Sequence, residues 1–234
     1  MTVVAGMDGC AAGWLCLWFD EATGRLAGRL LGGLDELSGL TPRPVVVGAD
    51  IPIGLPESGP RPCDREARRR LGRSRGSSVF PAPIRPMLGA ATYEEACAMG
   101  ERTDGRRLSR QAWNILPKIR EMDDFLAAGP GRRGWIREVH PELSFAAWNG
   151  GVPMGHNKKT AAGREERRAL AAAGFGAGWE AVRAGLPAAG YGEDDVLDAL
   201  AVLWSARRIA AGRARRLPEA PERDARGLPM EIVF

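Results

Sequence analysis

Four aspartates have the types and spacing that chemistry requires. Asp8 stands where the apolar run Val3-Val4-Ala5-Gly6-Met7 gives way to Gly9, and Asp50 closes a second run, Val45-Val46-Val47-Gly48-Ala49, just before Ile51-Pro52. If the two runs are adjacent parallel strands, both carboxylates lie at the carboxyl edge of one sheet, where open α/β sheets bind their ligands. A lone aspartate at a strand end is an ordinary turn or cap residue, but two at corresponding strand ends shift the balance towards a shared site. Asp195 and Asp198 stand at i and i+3 in Glu193-Asp194-Asp195-Val196-Leu197-Asp198-Ala199-Leu200-Ala201, hence on one helix face. Complementing a helix dipole explains Glu193 and Asp194. It explains Asp198 poorly, because a second-turn carboxylate facing inward among apolar neighbours is costly unless paired or metal-bound. Grouped carboxylates repel one another unless a hard divalent cation neutralises them, which makes magnesium or manganese the implied cofactor. Two such ions about 3.5–4 Å apart would activate a water and stabilise the leaving oxygen of a phosphodiester, with no further base required. Asp8, Asp50, Asp195 and Asp198 are therefore the candidate metal and catalytic residues.

Glu138-Val139-His140-Pro141-Glu142 forms a second constellation, with two roles open to it. Glu138 or Glu142 adds a metal ligand while His140 shuttles a proton or holds a phosphate; or His140 is a hydrogen-bonded core residue and Glu142 a first-turn helix acid. Arg73, Arg75, Ser77 and Ser78 precede Val79-Phe80 in a flexible stretch, and lysine occurs only at Lys118, Lys158 and Lys159. Phosphate capture by Lys118, Arg75, Ser78 and Lys158 is the functional expectation, against a solvated surface, which better suits the arginine-rich helix from Arg65 to Arg70. Lys118, following Pro117, is expected to reach the acidic cleft, to contact substrate phosphate or to hold a carboxylate in the metal-free state. Trp113 is either a base-stacking platform or, as for most tryptophans, core.

The elements that must position these residues follow from the apolar pattern. Val3 to Met7, Trp14 to Phe19 and Leu26 to Leu31 read as an antiparallel meander turning at Asp20-Glu21-Ala22-Thr23-Gly24. One or two helical turns over Leu34 to Leu40 precede a fourth strand ending at Asp50. Pro, Gly, Arg and Ser then dominate to about Arg85, around a helix from Asp64 to Leu71, and helices follow over Thr92 to Met99 and Ser109 to Ala127, the latter broken or kinked at Pro117. Trp135 to Val139 is the fifth strand, and Pro141 opens a helix through Trp148. Helices over Lys159 to Ala172, Trp179 to Ala184 and Asp194 to Ala211 lead to a short apolar end, Met230 to Phe234. This is the element order of one RNase H-like α/β domain over residues 1–234: a mixed five-stranded sheet flanked by helices, with a loop-rich helical insertion at approximately 52–130 between the fourth and fifth strands.

The 234 residues suffice for one large core. No apolar run approaches the ~20 residues of a membrane span, and the chain runs from Met1 straight into Thr2-Val3-Val4 without a charged leader, so a cytoplasmic protein is expected. Cys10, Cys16, Cys63 and Cys97 make no CxxC pair, which excludes a zinc ribbon or a thioredoxin-like motif and leaves them reduced. The formal charge of +4 permits a nucleic-acid partner, but 30 of the 33 basic residues are arginine and Ala and Gly abound, a bias that a GC-rich genome explains equally well.

A resemblance covers nearly the whole chain. Gly6-Met7-Asp8-Gly9-Cys10 with Gly13-Trp14, Asp50-Ile51-Pro52-Ile53-Gly54-Leu55-Pro56, Cys63-Asp64 with Ala67-Arg68, Ser78-Val79-Phe80 with Pro83, Gln111 with Ile115, Pro117-Lys118-Ile119, Glu121 and Asp123, Glu138-Val139-His140-Pro141-Glu142 with Phe145, Lys158-Lys159-Thr160 and Asp194-Asp195-Val196-Leu197-Asp198-Ala199 are similar to the DUF429 family, uncharacterised proteins predicted to be RNase H-like nucleases. The last-helix pattern Asp-x-x-Asp-Ala-Leu also resembles Holliday-junction resolvases of the RuvC type, which use acids on the first strand, fourth strand and last helix; Asp8, Asp50, Asp195 and Asp198 match those roles. The insertion after Asp50 departs from that pattern. The resemblance implies a metal-dependent nuclease acting on DNA or RNA. A non-catalytic nucleic-acid or nucleotide binding module of the same fold is the alternative. Asp8-Gly9 also resembles the first phosphate loop of actin-like phosphotransferases, which need a second copy of the fold for which this length has no room.

Overall fold

The first fifty residues form strands as their apolar runs require. In the computed structural model, which describes residues 2–234, β1 (Val3–Cys10), β2 (Gly13–Asp20) and β3 (Arg25–Leu31) make the antiparallel meander. Next, β4 (Val46–Asp50) lies parallel to β1, and β5 (Ile136–Glu138) lies parallel to β4. The sheet order is β3-β2-β1-β4-β5, so the fold is α/β with a mixed five-stranded sheet of RNase H-like type. Burial follows position: β1 is buried along almost its whole length, the mark of a strand covered on both faces, whereas the edge strand β3 is mostly exposed or half-buried.

Two compact units divide the chain. The first comprises the residues up to Asp50, Gly134–Arg215 and Val233–Phe234; the second comprises Ile51–Arg133 and Arg216–Ile232. In the first, α4 (Pro141–Trp148), α5 (Ala161–Phe175), α6 (Gly178–Gly185) and α7 (Glu193–Ala210) accompany the sheet. The longest, α7, crosses β1, β4 and β2. Its Val196, Leu197, Leu200 and Leu203 share a core with Leu15, Leu17, Phe19 and Val46. Trp148 stacks on Trp204 at 5.4 Å between ring centroids, tying α4 to α7.

The second unit contains the helical insertion that follows β4. It holds α1 (Pro62–Arg75), α2 (Tyr93–Asp104) and α3 (Arg110–Ala127), and it recruits the distant segment 216–232. Buried ion pairs supply what its arginine-rich, proline-rich sequence conceals. Arg61 meets Asp64 at 2.6 Å with both side chains buried. Asp224 accepts from Leu55 N–H at 3.0 Å and from Leu228 N–H at 2.8 Å and pairs with Arg85, which also reaches Asp123 at 2.9 Å. Of the break or kink expected at Pro117, the helix shows no break: α3 runs through the proline. Proline costs α3 one backbone hydrogen bond, but buried Ala112 and Leu116 before it and Ile119, Met122 and Leu126 after it anchor both halves. Trp113 packs edge-on against Tyr93 at 6.0 Å beside the cluster of Ile84, Met87, Ala96 and Cys97, so it is a packing residue. All four cysteines are free and buried. Among the described residues, no helix is long and apolar enough to cross a membrane.

Candidate active site

The parallel register of β1 and β4 pairs Gly6 with Gly48 and, two residues further, Asp8 with Asp50. Side chains alternate along a strand, so both aspartates share the face that the glycines leave bare. Helix α7 fills that bareness. A Cβ on Gly6 would fall 2.2 Å from Leu203 N and 2.7 Å from Ala199 O, and one on Gly48 would fall 2.8 Å from Val202 Cγ1. The helix therefore rests almost on the sheet backbone, and Asp198, next to Ala199, is carried to the strand ends where Asp8 and Asp50 stand. Asp8 and Asp198 are buried, at 7% and 2% exposure, while Asp50 keeps partial access to solvent.

The electrostatics record this convergence. Burial, then the charges of Asp50, Asp198 and Asp195, push the Asp8 carboxyl well above the ordinary range. Burial and Asp198, helped by Glu138 and Glu142, raise Asp50 to about 8. Burial acts against the Lys158 ammonium too, but Asp198, Asp50 and Asp8 outweigh it and raise its pKa. Lys158 Nζ pairs directly with Asp198 Oδ2, leaving Asp198 Oδ1 buried with no hydrogen-bond partner. Asp195 is raised mainly by burial, but its Oδ2 accepts the Gly192 N–H at 2.7 Å. It caps its own helix, so the two members of the Asp195/Asp198 pair do different things.

The second constellation is looser. Glu138, buried, pairs in register with Ala49 and so stands one residue out of phase with Asp50, although its charge still reaches that carboxyl. Glu142 is bound by Arg167, a fully buried arginine that also donates to Gly163 O at 2.8 Å and to His156 O at 3.2 Å. The His140 carbonyl accepts the Leu143 and Ser144 N–H groups, each at 3.0 Å, at the start of α4. Arg75, Ser78 and Lys118 belong to the second unit. Ser78 Oγ donates to Arg75 O at 2.7 Å, and Lys118 is half-buried on α3. The structure thus gathers Asp8, Asp50, Asp195, Asp198 and Lys158 in the first unit, with Glu138 and Glu142 near. Sequence reasoning missed the glycine pair that seats α7, the Arg167 partner of Glu142, and the lysine that holds an acidic carboxylate. Scarcity of lysine was the available signal for the last.

In charge and donor type the carboxylates suit a hard divalent ion, and Asp198 Oδ1 is an oxygen in want of a partner. Their spacing does not fit one: Lys158 pairs with Asp198, and among the described residues no three His, Cys, Asp or Glu side chains are grouped to hold a metal ion.

No curated protein and no solved structure matches the chain. A family model does match, over residues 6–223, which takes in β1 with Asp8, β4 with Asp50, and α7. The chain belongs to that family, DUF429, described as protein of unknown function.

Proposed function

We propose that the protein is a metal-dependent phosphodiester hydrolase acting on nucleic acid. The observation that carries this reading is the in-register pair Asp8 and Asp50 at the ends of two parallel strands, with Asp198 delivered beside them by a helix seated on glycines. Asp8, Asp50 and Asp198 would hold magnesium or manganese, with Asp195 at the rim. Such an ion would polarise the phosphodiester and acidify a water. His140 and Glu138 are candidates to hold a phosphate oxygen or to pass a proton to the leaving group, and Lys118, Arg75 and Ser78 to bind the strand. The test is a metal screen of purified protein against single-stranded, duplex, hybrid and branched nucleic acids, with Asp8→Asn as control. Cleavage in magnesium or manganese that vanishes in Asp8→Asn is the expected result. Activity retained in full by that variant removes the carboxylate from catalysis.

A specific observation favours a second reading, a nucleic-acid or nucleotide binding module without turnover. Lys158 already neutralises Asp198, and a site balanced in this way needs no ion. Nucleic-acid binding indifferent to chelator, with no cleavage in any metal, would select this alternative.

A further inference from the structure

We propose that Arg208, Arg213 and Arg215, gathered at the C-terminal end of α7, form a phosphate-binding site that holds the backbone of a nucleic-acid strand. The inference rests on the nucleic-acid part of the reading above and on no metal ion. All three arginines belong to the first unit.

The backbone turns back at the end of α7 and brings the three together. Gly212 takes the left-handed conformation, at φ +66°, that closes a helix. Its N–H donates to Ile209 O at 3.0 Å and Arg213 N–H donates to Arg208 O at 2.8 Å, a pair of bonds that folds the next residues over the last turn. Arg215 is fixed in turn, its N–H donating to Phe234 O at 2.7 Å and its carbonyl accepting from Phe234 N–H at 2.9 Å. Arg208 Nη2 donates to Arg213 O at 2.7 Å. Its Cζ stands 4.8 Å over the Trp204 ring, which stacks on Trp148. The guanidinium is thus held before any ligand arrives, which lowers the ordering cost of binding.

A counter-charge is what the cluster lacks. Burial, then the charges of Arg213 and Arg215, push the Arg208 pKa down, and among the described residues no carboxylate opposes them. Arg208 Nε is buried without a hydrogen-bond partner. The dipole of α7 favours Arg208 in its last turn, but Arg213 and Arg215 lie beyond the helix and gain nothing comparable from it. An anion would complete the arrangement. Guanidinium forks match phosphate oxygens, and three positive charges without an acid suit the dense charge of a phosphodiester chain better than a lone carboxylate. The large hydrophobic side chains exposed among the described residues are Val45 and Val152, neither in this segment, so nothing here would enter a lipid surface. Asp198 lies earlier on α7, about 15 Å away along an axis that rises 1.5 Å per residue, so the cluster is distinct from the acidic site.

Binding of a fluorescein-labelled single-stranded oligonucleotide is followed by anisotropy, in chelator, over a series of salt concentrations. Wild type is compared with Arg213→Gln/Arg215→Gln, both positions exposed so that the fold is kept, and with Arg65→Gln/Arg69→Gln, which removes the same charge from exposed positions on α1. The Arg213/Arg215 variant is expected to bind about tenfold or more weakly and to lower the slope of log K against log salt by about 1.4, two phosphate contacts at about 0.7 each. The α1 variant is expected to bind within about twofold of wild type with the slope unchanged. Polyglutamate is expected to displace the oligonucleotide far less well than unlabelled oligonucleotide does. If wild type binds but the Arg213/Arg215 variant keeps its affinity and slope, or if the two variants weaken alike, the cluster is not the site, while the nucleic-acid reading stands. Equal displacement by polyglutamate would make the partner an acidic protein and overturn the assignment. If wild type binds no oligonucleotide, the nucleic-acid reading fails and takes this one with it.

Discussion

Asp50 is a carboxyl that the fold holds partly against its charge. Its pKa of about 8 stands far above that of an aspartate in an unfolded chain, about 3.9. Between those values the folded protein retains a proton that the unfolded chain has released, so stability falls as pH rises through the window. Asp8, also raised, acts in the same direction. Thermal melts in chelator are expected to show a midpoint that declines from about pH 5 to about pH 8, a decline that Asp50→Asn should flatten. A variant with the wild-type slope would contradict this. For the same reason Asp50→Asn and Asp8→Asn should each gain about 1–2 kcal/mol of unfolding free energy at neutral pH without metal, read by chemical denaturation. Lys158→Met should have the opposite effect, losing about 1–3 kcal/mol without metal. That range lies below the figure for a fully buried pair because the lysine is 37% exposed. The acids were legible in the sequence because each interrupts an apolar pattern. The division of labour between Asp195 and Asp198 was not, since spacing puts both on one face and only the Gly192 contact separates cap from cluster.

The approach of α7 to the sheet depends on two absent side chains. Gly6→Ala would drive a Cβ into the backbone of Leu203, and Gly48→Ala into Val202. Neither position has a flexible tip that can simply turn aside at the backbone contact, so Gly6→Ala is expected to cost about 3 kcal/mol or more and Gly48→Ala about 1–3 kcal/mol in chemical denaturation. Both should lift Asp198 away from Asp50 and so bring the Asp50 carboxyl back towards its ordinary range; a stable Gly6→Ala protein whose thermal midpoint keeps the wild-type dependence on pH would show that the helix has slack. Strands and helices were readable because periodicity marks them, and the parallel placement of β1 and β4 because both runs end on an aspartate. Packing depth was not readable: a glycine inside a strand says that something comes close without saying what. The intact α3 teaches the converse, since the local penalty of Pro117 is outweighed by an apolar face visible only once the helix is packed.

Over the whole molecule, composition concealed a second ordered unit. Arginine and proline in residues 52–85 read as loop around one helix, yet Arg61 and Arg85 are bound to buried aspartates. Asp224, whose side chain is fully buried, ties segment 216–232 to Leu55 and Arg85. Asp224→Ala is expected to cost about 2–4 kcal/mol, since it removes one of the two aspartates that hold Arg85 and leaves the Leu55, Arg226 and Leu228 N–H groups without their acceptor. Hydrogen exchange should quicken across 216–232 while β1 and β4 keep their protection. Equal loss of protection in β1 and β4 would mean that the two units unfold as one. The same connectivity governs how the chain is made. Each unit is assembled from segments far apart in sequence, the first needing α7 and the second needing residues beyond 216. A nascent chain emerging from the ribosome can complete neither unit until the later segments have been synthesised, and Asp8 must wait for the much later Asp198 before its site exists.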